Sequence, residues 1–149
     1  MSGHTKVLEI KFQDQESFRC FRSGIGQYIQ ETLCHLPVCK TYLFEAAVNE
    51  AINNALKHAC VKNGKKLITV RLEVVDQKKL VASVEDNGMG FPGNQKLQEL
   101  EERFIQDENS AVEECPAESG RGLLLMKSIA DKVEYNAQGN EVMLIKSLY

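Results

Sequence analysis

A chain of 149 residues that is 43% hydrophobic and 26% charged is long enough to bury one core, so a single domain over residues 1–149 is expected. Its net charge is −3, with no basic stripe and no aromatic residues interleaved among lysines, which excludes a nucleic-acid-binding face. No apolar run reaches membrane-spanning length and residues 1–12 lack the apolar segment of a secretory leader, so a cytoplasmic protein that does not enter the membrane is expected.

Residues 6–12 alternate, with Leu8, Ile10 and Phe12 on one side and Glu9 and Lys11 on the other, which predicts a first strand. Phe18, Phe21, Ile25, Tyr28, Ile29 and Leu33 then recur at helical spacing, with Asp14 or Ser17 in reach as the cap. Gly24 and Gly26 fall inside this helix, where they weaken it and let a neighbour come close. After Pro37 a second helix is expected over about 38–59, anchored by Phe44, Val48, Ala51, Ile52, Ala55, Leu56 and Ala59. Its opposite side is unusual: Glu50, Asn54 and His58 are spaced by four, with Asn53 and Lys57 beside them. Asparagine is unfavourable in a helix interior, so its repeated use there asks for a reason, and ligand binding supplies one. His58 reads as a flanking group that caps or packs.

From Lys66 the period becomes two, with Ile68, Val70, Leu72 and Val74 facing one way. Asp76–Lys79 reads as a turn and Leu80–Asp86 as the partner strand, an antiparallel hairpin that argues against a purely parallel dinucleotide fold. That strand ends in VEDNGMGF. Leu80, Ala82, Val84 and Asp86 share a side, which puts a carboxylate on an apolar face where it needs a donor. A purine amino group is one such donor; plain turn chemistry at Gly88 and Gly90 is the other reading.

Residues 92–119 are mostly polar, with eight acids against Lys96 and Arg103, a local charge of −6 that leaves the rest of the chain at about +3. Leu97, Leu100 and Phe104 mark one short helix and 107–119 reads as loop; a segment this long is a lid, a binding loop or disordered. Gly120, Arg121 and Gly122 introduce a helix expected over 123–131. A glycine-rich helix entry offers free N–H groups and a positive dipole end to a phosphate, and Arg121 adds a fork of donors. Two strands, 132–136 and 141–148, follow, joined by a turn at Gly139 and Asn140. The five cysteines form no CxxC pair, and Cys34, His35 and Cys39 straddle a helix end, so neither a disulfide framework nor a zinc site is expected.

In this order NEAINNALKH, VEDNGMGF and SGRGLLLMKSIAD resemble the ATP-binding boxes of the Bergerat-fold (GHKL) superfamily, over about residues 40–146. The Arg between glycines followed by an apolar run ending in Met is similar to the anti-sigma-factor serine/threonine kinase branch. The resemblance implies an α/β (α+β) two-layer sandwich, a mixed, largely antiparallel sheet with helices on one face. It implies Glu50 as catalytic base, Asn54 as the Mg²⁺ ligand, and Asp86 as acceptor of the adenine amino group, with Gly88 and Gly90 shaping that pocket. Gly120, Arg121, Gly122 and Leu123 would bind phosphate, with residues 92–119 as the ATP lid. The cofactors implied are ATP and Mg²⁺. The partners implied are a sigma factor and a STAS-type anti-anti-sigma protein, and the exposed side of the first strand and helix is available to a homodimer. One departure is Asn140, where the family has Thr after a glycine. A nucleotide-gated binding module without catalysis and a detached histidine-kinase catalytic domain are the alternatives; against the latter, residues 1–36 give a strand and one helix instead of a long coiled pair.

Overall fold

The computed structural model describes residues 7–59, 64–90, 92–106 and 118–149. The elements run β1 (Leu8–Phe12), α1 (Gln15–Thr32), α2 (Val38–His58), β2 (Ile68–Val75), β3 (Lys79–Asp86), α3 (Gly93–Gln106), α4 (Glu118–Ile129), β4 (Lys132–Tyr135) and β5 (Glu141–Ser147). The five strands form one sheet in the order β1-β2-β3-β5-β4, and every pairing among them is antiparallel. The helices cover one face, so the two-layer α+β sandwich expected from the sequence is the fold that forms. No described helix is long and apolar enough to cross a membrane.

The alternating pattern of each strand explains the register. Leu8, Leu72, Ala82, Leu144 and Val133 are successive cross-strand partners in one row on the helix side of the sheet. Ile10, Val70, Val84, Val142 and Tyr135 form the next. A slip of one residue in any strand would turn its whole apolar set toward water, at a cost of about 1.5–3 kcal/mol for each large side chain exposed. The third row is Phe12, Ile68 and Asp86, so a carboxylate ends a series of apolar residues. Phe44, Val48 and Ile52 of α2 are fully buried over this face, with Ile25 and Ile29 of α1 and Met126 of α4.

The helix ends follow local chemistry. The Ser17 N–H donates to Asp14 Oδ1 at 2.8 Å, which makes Asp14 the cap of α1 and Ser17 its target. Phe21, expected on the apolar stripe, is exposed but stacks on Phe12 with ring centroids 6.4 Å apart. The Asn94 amide of α3 exchanges two hydrogen bonds with the backbone of Tyr135, each 2.9 Å, and so imitates a neighbouring strand along the outer edge of β4. A Cβ on Gly93 would overlap the Tyr135 ring, so α3 starts hard against β4.

Candidate functional site

Glu50 and Asn54 lie one turn apart on α2, both half-buried. The first turns of α4 come down on them at Gly122. A Cβ on Gly122 would stand 2.5 Å from Glu50 Oε1 and 2.9 Å from Asn54 Nδ2, so only glycine lets the two helices approach this closely. The result is a cradle between a carboxylate, an amide and the helix backbone that a single methyl group would fill.

The helix α4 begins at Glu118, earlier than the expected 123. Gly120, Arg121 and Gly122 therefore fall within the opening turns instead of ahead of them. The backbone of these residues is thus part of the helix N-terminus; the side chain of Arg121 and residues 107–117 of the expected lid lie outside what the structure describes. Leu123 is buried in the core, so its side chain serves packing. The lid region that is described is α3, longer than expected, with Leu97 buried and Leu100 against the core.

At the other end, Asp86 Oδ1 accepts the Gly88 N–H at 2.7 Å, a turn closed by the side chain itself. Gly90 has φ +82°, and a Cβ there would overlap the carbonyl of Gln138, so the VEDNGMGF loop packs backbone to backbone on the β4–β5 turn. Asn140 holds it there: its N–H₂ donates to Asp86 O at 3.0 Å while the Asp86 N–H donates to Asn140 O at 2.8 Å. The amide therefore clasps the main chain of Asp86 and leaves the carboxylate to other groups. Burial pushes the Asp86 carboxyl above the ordinary carboxylate range, and the charge of Glu85 adds to this, while the Gly88 N–H and Lys66 oppose it. Tyr135 titrates higher than an ordinary tyrosine, first because it is buried and second because the Asp86 charge is near. Met89, by contrast, is exposed.

Lys66 connects the two ends. Its ammonium donates to the carbonyl of Leu56, in the last turns of α2, and acts on Asp86 electrostatically. Glu50 is six residues earlier in the same helix, about 9 Å along its axis at 1.5 Å per residue. Asp86 thus stands near one end of α2, and the Glu50, Asn54 and Gly122 cradle farther up.

Among the described residues no three His, Cys, Asp or Glu side chains gather as a metal site. The His35 ring stacks on Tyr149 with centroids 5.8 Å apart, a packing contact. The donor set of the cradle suits Mg²⁺, which takes few protein ligands and completes its shell with water and phosphate oxygens; Asn54 would hold it through its amide oxygen.

Sequence reading missed three contributors. Lys66 and Tyr135 carry no local signal, because their roles depend on strand packing. Asn49 did carry one: it falls three residues before Ile52 and seven before Leu56, on the apolar stripe of α2, and it is buried with its Oδ1 lacking a hydrogen-bond partner among the described residues.

A family model described as a histidine kinase-like ATPase domain matches residues 14–146. No curated protein matches the chain.

Proposed function

Since the chain belongs to the histidine kinase-like ATPase family, a family that binds ATP, we propose that it is an ATP- and Mg²⁺-dependent protein serine/threonine kinase of the anti-sigma type. On this reading it sequesters a sigma factor and phosphorylates a STAS-type antagonist. The observation that carries the proposal is the contact of Gly122 with Glu50 and Asn54, because it sets a carboxylate and an amide against the end of a helix suited to phosphate.

Each residue then has a task. The free N–H groups at the start of α4 bind phosphate oxygens and its dipole favours their charge. Asn54 would hold Mg²⁺, which when bound neutralises phosphate charge. Asp86 accepts a hydrogen bond from the adenine amino group in a site whose shape is kept by Gly88 and Gly90. Glu50 accepts the proton of the attacking serine or threonine hydroxyl. The bond between the γ-phosphorus and the β–γ bridging oxygen breaks, a bond to the hydroxyl oxygen forms, and ADP leaves.

Incubation of the purified chain with labelled ATP, Mg²⁺ and candidate STAS-type proteins tests this reading. Glu50→Gln keeps shape and removes the base, so phosphoryl transfer should fall by about 10²–10⁴-fold with Mg·ADP binding retained. Transfer that survives Glu50→Gln removes the assigned base. Binding of Mg·ADP with no transfer to any hydroxyl leaves a nucleotide-gated binding module.

A further inference from the structure

A second feature adjoins the cradle. The outer surface of α2 carries a groove of about 400 Å³ walled by Arg22 and Gln30 of α1 and Leu125 of α4, with Tyr42, Asn49 and Asn53 of α2 along it. Glu50 lines it as well, so one carboxylate borders both the groove and the Gly122 cradle. Three observations give the groove a built character. A Cβ on Gly26 of α1 would overlap the Glu45 carboxylate, which lines the groove and is held by the Gln30 amide at 3.1 Å. The Asn53 carbonyl is held by the Gln15 amide at 3.2 Å. Asn49 is 7% exposed, and its Oδ1 has no hydrogen-bond partner among the described residues. A buried amide oxygen without a donor costs about 1–3 kcal/mol, and the residue that carries it lines the groove.

We infer that this groove seats the phosphoryl acceptor as an extended polypeptide segment bearing a serine or threonine, with Asn49 as a positioning residue that takes an N–H or O–H from it. The inference rests on the kinase reading given above. The amides of Gln30, Asn49 and Asn53 match the alternating donors and acceptors of a peptide backbone, and the volume exceeds what a lone hydroxyl needs. Leu125 and Tyr42 supply apolar contact, and Arg22 and Glu45 supply one charge of each sign. A hydroxyl carried along this groove would meet Glu50, which also borders the Gly122 cradle, as direct transfer from ATP requires.

The test uses the full chain with labelled Mg·ATP and a pool of short blocked peptides carrying one central serine among randomised neighbours. A second pool has alanine at the centre and serves as competitor. The Asn49→Leu variant should need about tenfold more serine pool for half-saturation, the cost of one lost hydrogen bond to a buried acceptor. Its turnover at saturation and its Mg·ADP affinity by calorimetry should stay near the parent values. Gly26→Ala, which displaces the Glu45 carboxylate that lines the groove, should weaken use of the pool in the same way and guards against an Asn49 variant that misfolds. The alanine pool should compete in the parent chain and lose that power in both variants. Unchanged half-saturation in both variants, or transfer to small hydroxyl compounds in preference to the pool, overturns the inference while leaving the kinase reading intact. Mg·ADP binding with neither transfer to nor competition by the pools also overturns it. Absence of Mg·ADP binding overturns the kinase reading itself.

Discussion

On the proposed reading, Asp86 trades stability for binding. Its carboxyl titrates above its unfolded value because burial disfavours the charge. A raised value means that the stability contribution of this group is fully present below the unfolded carboxylate pKa and is lost as pH rises through the folded one. At neutral pH the nucleotide-free protein therefore carries a cost at this position. Asp86→Asn should raise the melting temperature of the nucleotide-free protein at pH 7 while weakening ATP by about ten- to a hundred-fold, the loss of a hydrogen bond to a charged acceptor. Thermal scans paired with calorimetry read both quantities, and a fall in melting temperature would contradict the burial argument. Gly122 makes the opposite case, a residue whose absence of a side chain is its contribution. Gly122→Ala gains about 1 kcal/mol of helix propensity but forces Glu50 and Asn54 to shift, so the two effects oppose and net stability should change by no more than about 1 kcal/mol. It should nonetheless reduce activity by at least about a hundredfold by displacing Glu50, as expected when a catalytic group moves by an ångström.

At the scale of elements, β3 and β5 differ on their two faces. Toward the helices the pair is apolar and well matched. On the other face Glu85 and Glu141 are direct cross-strand partners, and the Glu141 carboxyl titrates above the ordinary range through burial, a hydrogen bond with Glu85 and the charge of Glu85. The sign is the same as for Asp86: stability is lost as pH rises through the raised pKa of Glu141. Glu85→Gln should stabilise the fold by a few tenths of a kcal/mol at pH 8, after allowance for solvent screening. That gain should vanish at pH 4, where the pair already carries its proton; denaturant titrations at the two pH values check it. Elements also decide what holds the expected lid region. The start of α3 is fastened to β4 through Gly93 and Asn94, and α4 is fastened to α2 through Gly122, so both described ends of that region are anchored by close backbone contacts.

The whole molecule connects parts that are distant in the chain: Asp86 of β3 with Asn140 ahead of β5, and Lys66 ahead of β2 with both Asp86 and the end of α2, the helix that carries Glu50 and Asn54. A ligand bound across such parts stabilises the folded state alone, so Mg·ATP at a hundred times its dissociation constant should add about 2.7 kcal/mol. For a domain of this size that is a rise in melting temperature of roughly 5–10 °C. Scans with and without Mg·ATP measure it, and no shift at millimolar nucleotide would contradict ATP binding.

The sheet and its helical cover were legible in the sequence because period-two and helical spacing are local properties, and the apolar side of every strand follows from alternation alone. The polar face of α2, Asp86 on an apolar side and the paired glycines near 120 were legible for the same reason. Their relative placement was not. The fit of Gly122 against Glu50, the clasp of Asn140 on Asp86 and the partnerless oxygen of Asn49 arise from packing between segments far apart in the chain. Even the start of α4 moved, since a helix end depends on terminal charge and capping as well as on the apolar spacing that follows. Spacing along a chain reveals which way a side chain points; what stands opposite is decided only when the elements meet.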